Sequence, residues 1–171
     1  MKMKLAGLVA ALLLASCAST PTDNTVSVRL IAFNDLHGNL ESGNLSLPWP
    51  DPANKDKALR LSAGGAAHLA GLVQSLRASA KHSLVISSGD AIGGTPLISA
   101  LFRHESTIDV MNRLGVDLAI PGNHEFDAGA AELQRVLKGG CAPNPPETNT
   151  VSCGVEAAGP YTGAKFPMFV A

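Results

Sequence analysis

The sequence predicts an α/β domain with a largely parallel sheet, and two observations support this prediction. Short apolar runs alternate along the chain with segments whose apolar residues recur at helical spacing. Strand–helix–strand alternation of this kind favours right-handed crossovers between parallel strands. Polar blocks also follow three of the apolar runs directly. Because ligands bind beyond the carboxyl ends of the strands in such sheets, we expect the chemistry of this protein at that edge.

Length and composition fit one ordinary domain. The chain has 171 residues, 46% of them hydrophobic and only 4% aromatic, which is enough apolar material to bury a core. The formal net charge is −1, so there is no basic excess of the kind that binds nucleic acid. No nucleic-acid polymer is therefore expected as a partner.

The N-terminal residues are predicted to be a lipoprotein signal peptide, residues 1–16. Two lysines precede an apolar stretch, residues 5–15, which is too short to cross a membrane. The sequence Leu-Ala-Ser-Cys that ends at Cys17 resembles a bacterial lipobox. The resemblance implies cleavage before Cys17 and lipidation of this residue. An ordinary signal peptide followed by a chance cysteine is the alternative.

Lipidation at Cys17 would anchor the chain to a membrane, because several acyl chains on one residue hold a protein stably. Ala18 follows the cysteine, as in lipoproteins sorted to the bacterial outer membrane. The expected location is therefore the outer membrane, facing the periplasm or the cell surface. Residues 17–25 would form a lipidated tether, and residues 26–171 the domain.

The domain is predicted to begin with a strand over residues 26–33, which alternates and then runs apolar. A loop follows at residues 34–39. Residues 41–61 contain three prolines and a charged patch, so we expect an exposed excursion. Trp49 lies between two of these prolines, where it covers the core or touches a ligand; cover is the preferred interpretation.

The central part of the domain alternates helices and strands. Residues 65–80 have apolar side chains at helical spacing, which predicts an amphipathic helix. Residues 84–87 form a short buried strand, and residues 96–102 a helix or a helical turn. A further helix is predicted over residues 107–114, with Gly115 as its C-cap.

The remaining elements complete the alternation. Residues 116–120 are predicted to be a strand that stops at a Pro-Gly pair, and residues 129–137 a helix that ends at two glycines. Residues 166–171 resemble one more strand. Between them, Cys141 and Cys153 are most simply a disulfide in an oxidising compartment, with two free thiols as the alternative.

Three polar blocks carry the chemistry. They are Asp35-Leu36-His37, Gly89-Asp90, and Gly-Asn-His-Glu-Phe-Asp at residues 122–127. Carboxylate, imidazole and amide groups together suit divalent metals such as Zn, Mn or Fe. Each block alone has a simpler explanation: the first two occur in ordinary turns, and Asn123 could be a helix N-cap. The three blocks in this order and spacing are far more specific.

Together the blocks resemble the calcineurin-like metallophosphoesterases, and the block at residues 122–127 resembles the 5′-nucleotidase branch. The resemblance runs from about residue 29 to residue 137. It implies an α/β sandwich domain, of which this chain is the incomplete N-terminal portion. It also implies hydrolysis of a nucleotide or another small phosphoester with two divalent metal ions, Zn, Mn or similar.

The resemblance assigns the metal ligands residue by residue. Asp35 and His37 would bind the first metal, Asp90 would bridge the two metals, and Asn123 would bind the second. Glu125, two positions further on, is expected to be structural rather than catalytic.

The same resemblance assigns the catalytic residues. His124 would stabilise the transition state or protonate the leaving oxygen, and Asp127 would accept a hydrogen bond from its imidazole. The other histidines, His68, His82 and His104, lie outside the blocks and are expected to be surface or interface residues.

Complete enzymes of this type draw further metal-binding histidines from later in the chain, together with a second domain for the nucleoside. No histidine follows His124 here. We therefore expect the chain to belong to a longer protein and to be inactive, or nearly so, alone. Two alternatives remain open: a 2′,3′-cyclic-nucleotide phosphodiesterase, against which Asp127 argues, and a non-catalytic lipoprotein with the same fold.

Overall fold

A computed structural model describes residues 25–42, 46–143, 150–153 and 160–169. The predicted signal peptide, Cys17 and the tether up to residue 24 lie outside the described residues. Within the described ranges, no helix combines the length and the apolar character that a membrane crossing requires.

Three parallel strands form the central sheet. They are β1 (Arg29–Phe33), β4 (Ser83–Ser87) and β5 (Leu118–Ala119), with β4 in the middle. β1 is paired with β4 along its whole length, and β5 pairs with the last residues of β4. The predicted α/β fold with a parallel sheet is confirmed.

In the described part of the chain, four helices connect and cover the strands, and each lies within two residues of its predicted bounds. They are α1 (Gly65–Ala78), α2 (Leu97–Ala100), α3 (Glu105–Leu114) and α4 (Ala130–Lys138). α3 ends as predicted at Gly115, whose φ of 69° lies in the left-handed region that glycine adopts without penalty.

β1 and β5 are shorter than predicted, whereas β4 begins one residue earlier than predicted, at Ser83. β1 begins only at Arg29, and Val26 and Val28 before it are 70% and 48% exposed. The predicted last strand is reduced to one parallel bridge between Ala119 and Met168, and residues 170–171 lie outside the described residues. Apolar character marked these segments correctly, but a strand extends only as far as a partner supplies hydrogen bonds.

The exposed excursion predicted over residues 41–61 agrees with the structure, in which nearly all described residues of this segment are exposed, but its regular pairing was not predicted. The chain forms an antiparallel hairpin there, with β2 (Ser46–Asp51) and β3 (Asn54–Ser62) paired to each other. In a sheet of two strands both strands are edges, where proline is tolerated because one side of the strand needs no ladder N–H. Trp49 pairs with Leu59 and is 57% exposed, so the prediction that it covers the core was wrong.

The helices cover one face of the sheet. Ile31 and Val85 point to that face and pack in the core with Val73 from α1 and Met111 from α3. The neighbouring residues along the strands point the other way, and Leu30 is 64% exposed. Other apolar side chains exposed at the opposite face are Leu84, Ile120 and Phe169. Within the described part of the chain, only one face of the sheet is covered.

A disulfide joins Cys141 to Cys153, with the two Cα atoms 5.3 Å apart. The buried carboxylate of Glu105, at the start of α3, fixes this segment to the domain. It accepts hydrogen bonds from Arg135 at 2.7 Å, from the hydroxyl of Ser152 at 2.6 Å and from the backbone N–H of Cys153 at 2.9 Å.

Candidate metal centre at the edge of the sheet

The loops that leave β1 and β4 are joined by backbone hydrogen bonds. The N–H of Asp35 donates to the carbonyl of Gly89, and the N–H of His37 donates to the carbonyl of Asp90, both at 3.0 Å. These bonds extend the parallel pairing beyond the ends of the strands. They bring the first two polar blocks side by side at the edge where the sequence predicts the site.

Asp35, His37 and Asp90 all have left-handed backbones, with φ of 51°, 43° and 52°. Residues other than glycine rarely adopt this conformation, which costs of order 1–3 kcal/mol each and is concentrated at functional sites. The Asp-x-His block is therefore a turn rather than an extended segment. The surrounding structure holds these three predicted metal ligands in unfavourable backbone conformations, and these conformations set the directions of their side chains.

The imidazole of His37 is oriented for metal binding. Its Nδ1 lies 2.8 Å from the carbonyl oxygen of Gly93, an acceptor that places the proton on Nδ1. The lone pair of Nε2 is then free, and Nε2 lies 3.6 Å from Oδ1 of Asp35. An imidazole whose other nitrogen is held by a carbonyl is the usual arrangement of a metal-ligating histidine.

The structure collects His37, Asp90 and His124, whose ligand atoms all lie within 4.8 Å of one another. The two imidazole rings meet edge to face with centroids 5.0 Å apart. Asp35 borders this cluster through its contact with His37. Carboxylates and imidazoles in this number fit a divalent ion such as Zn or Mn.

The third member of the cluster is the predicted catalytic residue rather than a predicted ligand. Asn123 has an exposed side chain at the start of a 3-10 helix, His124–Phe126, and makes no capping hydrogen bond there. Asn123 thus occupies the N-cap position, as the alternative interpretation of the sequence had it, but its side chain does not cap the helix. Its role as a metal ligand stays a prediction.

His124 and Asp127 form a hydrogen-bonded pair. Nδ1 of His124 lies 2.7 Å from Oδ2 of Asp127. The 3-10 helix explains the pairing, because side chains three residues apart are eclipsed in this helix type. The hydrogen bond to Asp127 raises the pKa of His124 above its usual value, with smaller contributions from other nearby carboxylates.

Gly93 and Gly122 allow the loops after β4 and β5 to approach each other. A Cβ at Gly122 would lie 2.1 Å from Oδ1 of Asp90, and a Cβ at Gly93 would lie 2.7 Å from Cβ of His124. No side chain could occupy either position without displacing a residue of the site.

Glu125 is 3% exposed, and its carboxylate accepts hydrogen bonds from backbone N–H groups of the loop after β4 and of the loop after β5. The expectation that this residue is structural agrees with these contacts. His104 differs from expectation: it is half-buried, and its Nδ1 lies 3.2 Å from Oγ of Ser99. Burial lowers the pKa of His104, against smaller raising effects of nearby carboxylates. His68 and His82 are exposed as predicted.

Sequence comparison agrees with this site. The profile of the family described as calcineurin-like phosphoesterase matches residues 28–156. The chain is 39% identical over 145 residues to an uncharacterized protein of Acinetobacter calcoaceticus, covering 85% of this chain and 69% of that protein. It is 42% identical over 108 residues to a probable 5′-nucleotidase of Treponema pallidum, covering 63% of this chain and 17% of that protein.

Structural comparison gives the same result. The structure of the NAD nucleotidase of Haemophilus influenzae aligns with a TM-score of 0.54 and 26% identity, covering 75% of this chain and 23% of that one. The chain thus spans only a small part of the two nucleotidases, although it spans most of the Acinetobacter protein. On the family match and the shared α/β fold, the chain belongs to the calcineurin-like phosphoesterase family of phosphoric ester hydrolases.

Proposed function

We propose that this chain supplies part of the active site of a metal-dependent 5′-nucleotidase, which releases phosphate from nucleoside monophosphates. The observation that carries the proposal is the cluster of His37, Asp90 and His124, in which His124 is held by Asp127. Similarity to a probable 5′-nucleotidase supports the substrate class.

Asp35, His37, Asp90 and Asn123 are the residues that would hold two divalent ions, with Asp90 between them. Such ions would lower the pKa of a bound water and neutralise the charge on phosphate oxygens. His37 contributes Nε2, because its Nδ1 is engaged by the carbonyl of Gly93.

His124 would act on the leaving oxygen. Its Nδ1 is occupied by Asp127, so Nε2 is the atom that can reach the substrate. In the imidazolium form Nε2 carries a proton that can pass to the departing nucleoside oxygen. Asp127 keeps the ring in this orientation and stabilises its positive charge.

We further propose that the chain acts within a longer polypeptide. Four ligands are too few to surround two metal ions, and the sheet exposes an apolar face at Leu30, Leu84 and Ile120. An added segment would contribute histidines to complete the metal ligands and would cover the apolar face of the sheet. Another domain would bind the nucleoside.

The proposed location is the outer membrane, through lipid on Cys17. This proposal depends on the lipobox resemblance alone. In a bacterial host the wild type should partition with membranes, whereas Cys17→Ser should stay unprocessed or become soluble. The same mature N-terminus and the same membrane-free partitioning in both proteins would contradict it.

The activity is tested by hydrolysis of AMP and of 2′,3′-cyclic AMP by the longer polypeptide, with Mn²⁺ or Zn²⁺ added. We expect phosphate release from AMP, and His124→Ala should lower kcat by about two to four orders of magnitude at unchanged metal content. His82→Ala, at an exposed position outside the polar blocks, is the matched control. Preference for the cyclic substrate would favour the phosphodiesterase, and a metal-loaded protein without any esterase activity would favour the non-catalytic alternative.

A further inference from the structure

We infer that Glu125 is a positioning residue. Its buried carboxylate binds backbone N–H groups of the loops after β4 and β5, and thereby holds Asp90 where it can bind metal and His124 where it can reach the substrate. This inference rests on the proposed metal-dependent function and adds a residue to it. The carboxylate of Glu125 is not itself a metal ligand in this arrangement, because backbone N–H groups donate hydrogen bonds to both of its oxygens.

The carboxylate of Glu125 is saturated by backbone donors. Oε2 accepts the N–H of Asp90 at 2.9 Å and that of Gly122 at 2.5 Å. Oε1 accepts the N–H of Ala91 at 2.8 Å and that of Ile92 at 3.3 Å. A carboxylate that is 3% exposed requires such partners, because an unpaired buried charge is very costly.

A second hydrogen bond closes the arrangement. Oδ1 of Asp90 accepts the backbone N–H of His124 at 3.0 Å. Glu125 thus holds the backbone of the Asp90 loop, and Asp90 in turn holds the backbone of the loop that carries Glu125. The two loops fix each other, so the distance between Asp90 and His124 depends on both contacts.

Asp90 has a left-handed backbone, with φ of 52°, and therefore needs the hydrogen bonds to Glu125, which we call the Glu125 clamp. A non-glycine residue remains in this conformation only when its surroundings over-determine it. Glu125 binds the N–H of Asp90 and the next two N–H groups, which supplies that constraint. Without it, the backbone can relax and turn the Asp90 carboxylate away from His37.

The substitution Glu125→Gln tests this role with almost no change in volume. It replaces one acceptor oxygen by an NH₂ donor. That donor would face either the N–H pair of Asp90 and Gly122 or the pair of Ala91 and Ile92. Two donor groups then oppose each other in a buried place, whichever way the amide is turned.

Glu105→Gln is the matched control. Glu105 is also buried, at 7% exposure, and also accepts several hydrogen bonds, but its partners are Arg135, Ser152 and Cys153 near the disulfide. A variant there removes a comparable buried carboxylate without touching the loops of the metal cluster. A third variant, Glu125→Asp, keeps the charge but is one methylene too short to hold both loops.

The experiment measures Mn²⁺ affinity of the full 171-residue chain by calorimetry and amide hydrogen exchange of the metal-free chain. Glu125→Gln should weaken Mn²⁺ binding about 10- to 100-fold, as loss of an outer-shell partner does. The amides of Asp90, Ala91 and Gly122 should exchange faster. Glu105→Gln should lower the unfolding midpoint and leave Mn²⁺ affinity as in the wild type.

The inference is overturned if Glu125→Gln binds Mn²⁺ like the wild type, or loses affinity only as far as Glu105→Gln does. If Glu125→Gln does not fold, Glu125→Asp decides in the same two measurements, with faster exchange at Asp90 and weaker Mn²⁺ binding expected. If the 171-residue wild type binds no ion, the longer polypeptide takes its place, and failure of that protein to bind Mn²⁺ would contradict the metal-dependent function instead. Hydrogen exchange in the metal-free proteins still tests whether Glu125 holds the backbone of Asp90, Ala91 and Gly122.

Discussion

Substitution of Gly122 by alanine offers a purely steric test of the site. Gly122 is not in the left-handed region, so the added methyl group causes no backbone strain of its own. The new Cβ would lie 2.1 Å from Oδ1 of Asp90, 2.7 Å from its Cγ and 2.8 Å from its backbone nitrogen. These three nearest atoms all belong to Asp90, the predicted bridging ligand, so the change acts first on this residue.

The size of the effect follows from these distances. Non-bonded heavy atoms pack best at roughly 3.5 Å, so Oδ1 must retreat by about 1.4 Å from its 2.1 Å position. Metal sites tolerate deviations of only about 0.2 Å in ligand distance. We expect Mn²⁺ or Zn²⁺ affinity to fall at least about 10- to 100-fold. Overpacking should also lower the free energy of unfolding by about 1–3 kcal/mol.

Calorimetric titration with Mn²⁺ and urea unfolding of the same preparations measure both effects. The wild-type chain is expected to hold at most one ion well. Gly71→Ala is the control, because a Cβ at this position of α1 meets no atom within 4 Å. It should stabilise the chain by about 0.5–1 kcal/mol without changing metal affinity. Wild-type metal affinity in folded Gly122→Ala would refute the assignment of Asp90 as a ligand.

Three further predictions concern proton binding and stability. Asp127→Asn removes the hydrogen bond that raises the pKa of His124, so the His124 ring signals in NMR should titrate at lower pH than in the wild type. Glu105→Ala leaves Arg135 with Glu132 as its remaining carboxylate partner and removes the acceptor of the Cys153 N–H, so it should lower the free energy of unfolding in urea by about 1–3 kcal/mol. His104 binds a proton less readily when folded than when unfolded, so its contribution to stability is full above the unfolded pKa of 6.5 and falls as pH decreases below it. Thermal unfolding at pH 5 and pH 7 should show a smaller difference for His104→Gln than for the wild type.

Each of these outcomes can fail separately. An unchanged titration of His124 in Asp127→Asn would mean that other groups set its charge. A loss of less than about 1 kcal/mol in the free energy of unfolding of Glu105→Ala is typical of an exposed ion pair. It would mean that water reaches the Glu105–Arg135 pair in solution. A pH dependence that survives His104→Gln would assign the acid sensitivity to another group.

The elements with strong periodicity or clear end signals were predictable from the sequence alone. Apolar spacing located α1, α3 and α4, and Gly115 marked the end of α3. The polar blocks were placed correctly at the ends of β1 and β4, because parallel strands bring their carboxyl ends to one edge. Local signals sufficed for these features since each depends on residues close together in the chain.

The hairpin could not be predicted in the same way. Its prolines are turn signals locally, and only pairing of β2 with β3 shows that both strands are edges where proline fits. The exposure of Trp49 follows from the same pairing. Burial of His104 likewise was not predicted, because the helical spacing of apolar residues does not indicate that the ring turns toward Ser99 and Thr95.

The amino-acid sequence by itself determined which residue types are available for metal and phosphate chemistry, and at which strand ends they occur. Only the tertiary structure decided how they meet. It turns Asp35, His37 and Asp90 into left-handed conformations, and it brings His124 rather than the exposed Asn123 into the ligand cluster. It also gives Glu125 its backbone partners from the other loop. These features require contacts across 30 or more residues of chain, whose geometry depends on the packed sheet and not on neighbouring residues.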